Sequence, residues 1–553
     1  MTQYNNSIAF EIIVSKSQKE VKILPYYEML SFLLSFISVR SPFQFNIDNS
    51  KTSFFHQKLD HFNSRSKEIF QQKYYTWNSN PTNPKSIVLF LGSESLRDQD
   101  FSHSACLYAE NNSAALFSLE HRFFGESFPN DTTYLLNKDN LQLHLNSAQV
   151  LNDIGNFLQS LLTNTSCSNS DLNNTKCDVT IFAGGYLGTI ANWFHLKYPH
   201  FVTNVITSSS PLIISKTAPY FDTTIYDLFS IQNPQCLSNY SKIMSNISKQ
   251  VNQTAIHELF GLPEISDKAF YYAVAEIISK IFVYKDHIDT YLLPLVCSGL
   301  DPEKDGVEQL AAKFKFLLTH FDETNQSINI EYPQDESLDS PYKDYRSWSW
   351  LKCNEIGLWH EASNISKRRF RNKDLTEQYF NEVCQTLFGK DLTVVDSFTY
   401  GSKELPTTHT ILIHGDQDPM LQSFLLTSHP AYLQYSLLME NKSRLADMGS
   451  NLDTNATNIL LKAFDFINTW TSNINDNYKK CKNGYRSFGE CTCKKGYGGA
   501  ECQHLMHPEK SFKVITILSV AVPTLLLLII GAGVWLSGRH EDNEIGARPT
   551  LYT

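Results

Sequence analysis

A chain of 553 residues, 42% hydrophobic and 19% charged, can bury a sizeable core and has room for more than one domain, which excludes a disordered polymer. Its net charge of −10, with no outstanding block of Lys or Arg, argues against a surface built to neutralise nucleic-acid phosphates. An ordinary acidic surface accounts for the charge.

Residues 1–50 read as a leader. Met1 to Lys22 is polar and mixed in charge, whereas Met29-Leu-Ser-Phe-Leu-Leu-Ser-Phe-Ile-Ser-Val39, followed by Arg40, has the length of a signal h-region and is too short to span a bilayer. The expected signal segment is therefore 29–40, with Met29 as the true start; an internal signal anchor is the alternative. Farther along, Ser86–Leu91, Ala114–Leu119, Asp178–Phe182, Val202–Ile206 and Thr410–His414 have the length and the β-branched or aromatic content of buried strands. Between the second and third, Val150, Leu151, Ile154, Phe157, Leu158 and Leu161 fall on one helical face. This alternation predicts an α/β fold, a parallel sheet covered by helices on both faces. The helix-rich stretch from about Tyr220 to Leu387 reads as a cap inserted between core strands.

The four cysteines Cys481, Cys491, Cys493 and Cys502 crowd one short segment, which ends Gly-Tyr-Gly-Gly499-Ala-Glu-Cys502. Such a unit is too small for a core and is held by disulfides; it resembles a truncated EGF-like module. An oxidising compartment and the absence of histidine from the cluster argue against a metal site. The remaining seven, Cys106, Cys167, Cys177, Cys236, Cys297, Cys353 and Cys384, are odd in number, so one is left over. Cys167 with Cys177 and Cys353 with Cys384 are sensible local pairs, although sequence alone leaves connectivity open.

Val514 to Leu536 is apolar and uncharged and long enough for a hydrocarbon core needing about 20 residues, so it reads as a transmembrane helix. The tail from Ser537 to Thr553 carries Tyr552 but no specific motif. Acceptors of the form Asn-x-Ser/Thr recur at Asn111, Asn130, Asn164, Asn173, Asn239, Asn246, Asn252, Asn325, Asn364, Asn441 and Asn455, none beyond Cys481. With paired cysteines, they place the large N-terminal side in the lumen or outside the cell, of an endolysosomal or surface membrane.

Several motifs in order carry a family resemblance from about Phe55 to Trp470. They are Leu59-Asp-His-Phe62, Phe70-Gln-Gln-Lys-Tyr-Tyr75, Glu120-His-Arg-Phe-Phe-Gly-Glu-Ser127, Trp193-Phe-His-Leu-Lys-Tyr-Pro-His200 with Ser208-Ser-Ser-Pro211, Cys353-Asn-Glu-Ile-Gly357, and Asp418-Pro419. The chain resembles the lysosomal Pro-Xaa carboxypeptidase group of serine peptidases, which includes dipeptidyl peptidase II and the thymus-specific serine protease. The resemblance implies an α/β-hydrolase sheet in two parts, 55–215 and 391–475, interrupted by a helical cap, 216–390. The EGF-like unit, 481–502, the span, 514–536, and a cytoplasmic tail, 537–553, follow. No cofactor and no metal ligand set are implied.

In that fold a nucleophilic serine sits on a tight strand-to-helix turn, G-x-S-x-G. Aligned on Tyr186 and Trp193-Phe194, the family's serine falls on Gly185, and its histidine, on a loop resembling Ser-His-x-x-Asp-Met, falls on Arg444 of Ser443-Arg-Leu-Ala-Asp-Met448. Only the family's aspartate, Asp418, keeps its identity, together with the Tyr186 backbone amide as an oxyanion donor. Glycine has no nucleophile, and a permanently charged guanidinium is no general base. His414 and His429 are the nearby alternatives for a base, read as a strand end and an exposed loop. Ser208, Ser209 and Ser210 belong to the next strand end, and Asp418 reads as a loop carboxylate with Arg444 as a candidate partner.

Three functions follow. The favoured one is a membrane-tethered pseudoenzyme binding a peptide or protein in the old cleft, or serving in adhesion, with a homodimer also open. The second is an active exopeptidase cleaving beside proline. In the third, the outer domain is a passive spacer for the EGF-like unit or the tail.

Overall fold

A computed structural model describes residues 50–505 except 78–79, 93–101, 130–136, 166, 168–176, 289, 322–328, 332–341, 396–398, 402–403, 450–451, 473–483, 488–489, 494–496, 499–501 and 503. The leader, Cys481, the apolar segment 514–536 and the tail lie outside the described residues. So do Asn130, Asn173 and Asn325. Among the described residues no helix is long and apolar enough to cross a membrane.

The chain begins with β1 (Ser50–Lys58), β2 (Ile69–Trp77) and β3 (Ser86–Leu91). Then come α1 (His103–Asn112), β4 (Ala114–Leu119), α2 (Lys138–His144), α3 (Ser147–Asn164), β5 (Asp178–Gly184), α4 (Gly185–Lys197) and β6 (Asn204–Ser208). The cap holds β7 (Ser215–Thr217), α5 (Pro219–Gln232), α6 (Pro234–Ile247), α7 (Gln253–Phe260), α8 (Asp267–Val283), α9 (Leu292–Cys297), α10 (Gly306–His320) and α11 (Tyr342–Leu351). A π-helical turn, Lys352–Ile356, leads to β8 (Gly357–Trp359) and α12 (Glu377–Phe388). The chain returns to the sheet with β9 (Thr410–Gly415) and β10 (Gln434–Met439), and covers it with α13 (Thr454–Ser472). Beyond lie two small hairpins, β11 (Gly484–Ser487) with β12 (Glu490–Cys493), and β13 (Tyr497–Gly498) with β14 (His504–Leu505).

The main sheet has the order β1-β2-β4-β3-β5-β6-β9-β10. From β4 to β10 every pair is parallel, but β1 with β2 and β2 with β4 are antiparallel, so the sheet is mixed and not parallel throughout as the alternation implies. The edge strands lack the apolar signature of the others for a physical reason. Gln57, Gln72 and Lys73 interrupt their apolar runs and are buried through polar partners: Gln57 Nε2 donates to Gln72 Oε1 at 2.8 Å, and Gln72 Nε2 to Glu120 O at 2.8 Å.

In β3, Ile87, Leu89 and Leu91 face one apolar cluster and Val88 and Phe90 the other, the two-residue period of a strand buried on both faces. The first cluster takes in α3, α4 and the cap helices, and the second takes in α1 and α13. The α3 helix begins where Asn146 Oδ1 accepts from Gln149 N at 3.0 Å, and its six apolar positions anticipated from periodicity are all buried. Cap and sheet share one continuous core, stapled within the cap by Cys236–Cys297 and Cys353–Cys384. Cys167–Cys177 also forms, as does Cys493–Cys502, and the cysteine left over is Cys106, buried and free.

The motif after β4 is structural. Arg122 is fully buried and all its N–H groups are engaged: Nε and Nη2 donate to the two oxygens of Asp153 at 2.6 Å each, and the rest to the carbonyls of Leu59, His144 and Lys58. This ties β1 and β4 to α3 beneath the carboxyl ends of the parallel strands.

Candidate functional site

In open α/β sheets ligands bind beyond the carboxyl ends of the strands, and three of the positions singled out above meet there. Strand β5 runs extended to Gly184, and the chain turns at Gly185, whose φ of +54° lies in the left-handed region, straight into α4. A side chain at 185 would be strained by that φ, and its Cβ would lie 2.9 Å from Arg444 Nη2. Close packing excludes a side chain at Gly188, where a Cβ would come within 1.9 Å of Ser210 Oγ. The Tyr186 N–H belongs to the first turn of α4, where amides have no intrahelical partner. The Tyr186 hydroxyl contacts His121 Nε2 at 3.3 Å, and its ring meets Trp348 edge-on. The β3-side loop that supplies a second oxyanion donor in such folds, 93–101 here, is outside the described residues.

Asp418, on the loop after β9, is fully buried, with Oδ1 accepting from Met420 N at 2.9 Å. Burial raises its carboxyl above the usual range, and the Arg444 charge and the Met420 amide oppose that rise. Arg444, on the loop after β10, brings Nη1 to 3.9 Å from Asp418 Oδ2. That is an ion-pair contact and too long for a hydrogen bond. Its loop is gripped from two sides. On the sheet side the Ser208 hydroxyl donates to Asp447, and Leu445 N donates to Ser209 Oγ at 2.9 Å. On the cap side Arg444 N donates to Val283 O, Ser443 N to Asp286 Oδ2 at 2.6 Å, and Lys442 pairs with Asp286 at 2.9 Å.

Above Gly185 and Arg444 lies a cavity of ≈ 250 Å³ between sheet and cap. Phe221, Val283, Trp348, Ile356, Leu358 and Met420 give it an apolar wall, and Glu276, Lys280, Lys352, His360 and Arg444 bring charge or polarity. Glu276 bonds to His360 Nδ1 and to Arg371 Nη2, each at 2.8 Å. Burial pushes the Glu276 carboxyl up, but Arg371 and His360 outweigh it and hold the group well below the usual carboxylate range. The His360 ring stacks on Phe221 at 3.6 Å, and burial lowers its pKa to about 4. Lys352 is buried with its ammonium 3.9 Å from the centroid of the Trp359 ring, and burial brings it down to about 8 against the pull of Glu276.

The other residues considered as substitutes stay apart from this cavity. His414 ends β9 with Nε2 against Leu425 O and its ring on Phe424, and His429 is exposed beside Gln434. Ser208, Ser209 and Ser210 are buried at the end of β6 and do not line the cavity. Sequence reasoning missed Glu276, Lys352, His360 and Arg371. For Lys352 a signal existed, since it immediately precedes the Cys353-Asn-Glu-Ile-Gly357 motif and rides on the turn that the Cys353–Cys384 disulfide anchors.

The sheet order, the strand-to-helix elbow between β5 and α4 and the acid after β9 define an α/β-hydrolase. The chain belongs to the serine carboxypeptidase S28 family, whose profile matches residues 57–464. The lysosomal Pro-X carboxypeptidase of Mus musculus is 28% identical over 392 residues, covering 66% of this chain and 77% of that protein. The thymus-specific serine protease of Mus musculus is 24% identical over 441 residues, covering 72% and 82%. Among solved structures, the alpha/beta hydrolase GrgF from Penicillium sp. sh18 aligns over 76% of this chain and 99% of its own, with 11% identity and a TM-score of 0.33.

Proposed function

We propose that this member of the S28 family is a non-catalytic, membrane-anchored glycoprotein that binds a peptide or protein segment in its cleft. One observation carries the reading: Gly185 stands at the elbow where a serine hydrolase presents its nucleophile, with the Arg444 guanidinium beside it. Acyl transfer at such an elbow requires a hydroxyl and a neighbouring base to take its proton, and neither side chain offers one. Asp418 alone orients nothing that can react. The uncharged apolar segment 514–536 supports anchoring by a single span, the cysteine-rich 481–502 supports an EGF-like stalk, and the recurring acceptor asparagines support an outer or lumenal location.

The test is reaction of the purified full-length protein with a fluorophosphonate serine-hydrolase probe, beside an active family member as a positive control. No labelling is expected. Stoichiometric labelling that a serine-directed inhibitor blocks, together with hydrolysis of a Pro-Xaa peptide, would overturn the reading.

A further inference from the structure

Five residues of the cavity wall decide its charge. Glu276 is its acidic member, and its carboxylate is already engaged by Arg371 and His360. Arg444 is held only loosely by Asp418, at 3.9 Å. The ammonium of Lys352, a residue 7% exposed, makes no hydrogen bond or ion pair among the described residues and rests on the Trp359 face. Lys280, the third cation of the wall, lies with its ammonium 5.5 Å from the centroid of the Phe321 ring. Arg444 and Lys352 thus border a small, largely apolar space without a full counter-charge. A buried ammonium that rests on an aromatic face and feels Glu276 only through space leaves its hydrogen-bonding capacity unspent, and burying it costs free energy that an anion in the cavity would return. The guanidinium keeps a planar fork of donors that matches a carboxylate.

We infer that the cavity binds an organic anion with a single carboxylate head, set between Arg444 and Lys352, and an apolar body packed against Phe221, Trp348 and Met420. This deepens the non-catalytic binding reading and rests on it, because Arg444 serves here as a ligand-binding group at the position where the resemblance places a base. The volume, ≈ 250 Å³, matches a body of one or two residues, so the carboxylate is the end of a peptide or belongs to a free small acid. Burial that lowers the Lys352 ammonium to about 8 leaves it charged at neutral and acidic pH, as the binding requires.

The experiment is calorimetric titration of the full-length protein with N-acetyl-phenylalanine and with its amide, which share a body and differ in charge. The acid is expected to bind about tenfold or more tightly than the amide, the scale of one charge-assisted hydrogen bond. Arg444→Gln and Lys352→Met should each reduce that ratio. Because acid and amide are compared within one preparation, a loss of folded protein does not change the ratio. Equal binding of acid and amide, no binding of either, or a ratio that survives R444Q combined with K352M would overturn the inference. A peptide of alanines ending in phenylalanine, run as acid and amide, separates the sources: carboxylate-dependent binding assigns the site to chain ends, and binding of the small acid alone assigns it to free acids. Both outcomes support the shared chemistry. Labelling by the fluorophosphonate would sink the non-catalytic reading by itself, whatever the ratio.

Discussion

Gly185, Arg444 and Asp418 act on one another, so each substitution at this site has to be read through its neighbours. A serine at 185 must adopt a φ near +54°, at about 1–3 kcal/mol for a residue with a side chain, and must push Arg444 Nη2 away from its Cβ. Gly185→Ser alone is therefore expected to lower the thermal midpoint and give no hydrolysis of a Pro-Phe peptide followed by chromatography, since its hydroxyl has no base beside it. G185S with R444H should give slow turnover, because Asp418 and the Tyr186 amide remain and oxyanion donors are typically worth about 10²–10³ in rate. Turnover by the single variant, or silence of a folded double variant, would contradict this account. Much at this scale was legible in advance: the motif alignment located Gly185, Arg444 and Asp418. The engaged Glu276 and the unpaired Lys352 were not, because residues 276 and 352 meet only through the fold of the cap.

Between elements, the loop after β10 is the part whose holding determines where Arg444 sits. Asp447 on that loop is buried at the end of β6, where burial raises its carboxyl from 3.8 to about 6 against the opposing Ser208 hydroxyl. A raised folded-state pKa means that the native state prefers the protonated carboxyl. Its contribution is fully present below pH 3.8 and is lost as pH rises through about 6. An amide does not titrate, so wild type should lose roughly 2 kcal/mol of stability relative to Asp447→Asn between pH 4 and pH 8 in urea unfolding. Parallel pH profiles for the two chains would show that burial does not raise this carboxyl above its unfolded value. Elements themselves were unevenly readable. β3 to β6 and β9 announced themselves as apolar runs, as strands buried on both faces do. β1 and β2, an antiparallel edge with buried glutamines, and β10, with half-buried Ser436 and exposed Leu438, lack that signature.

On the scale of the whole molecule, the sheet and cap share an apolar core, and the described acceptor asparagines lie around it. Asn111, Asn164, Asn246, Asn252, Asn364 and Asn441 are exposed, as the attachment of a bulky glycan requires. Glycosidase treatment of protein from its native host should visibly lower the apparent mass on a gel; an unchanged mass would remove the support for an outer or lumenal location. The division of the chain by sequence motif carried the cap as helix-rich, but not the way it grips the sheet. Residues 283–287 of the cap hold the backbone of Ser443 and Arg444, so the roof of the cavity and one of its walls are parts of a single fastening. Lifting the cap would therefore unseat the Arg444 guanidinium along with it. For the binding role proposed above, this fastening predicts selection by shape: a narrow chain end should enter beneath the roof, and a folded surface should be turned away.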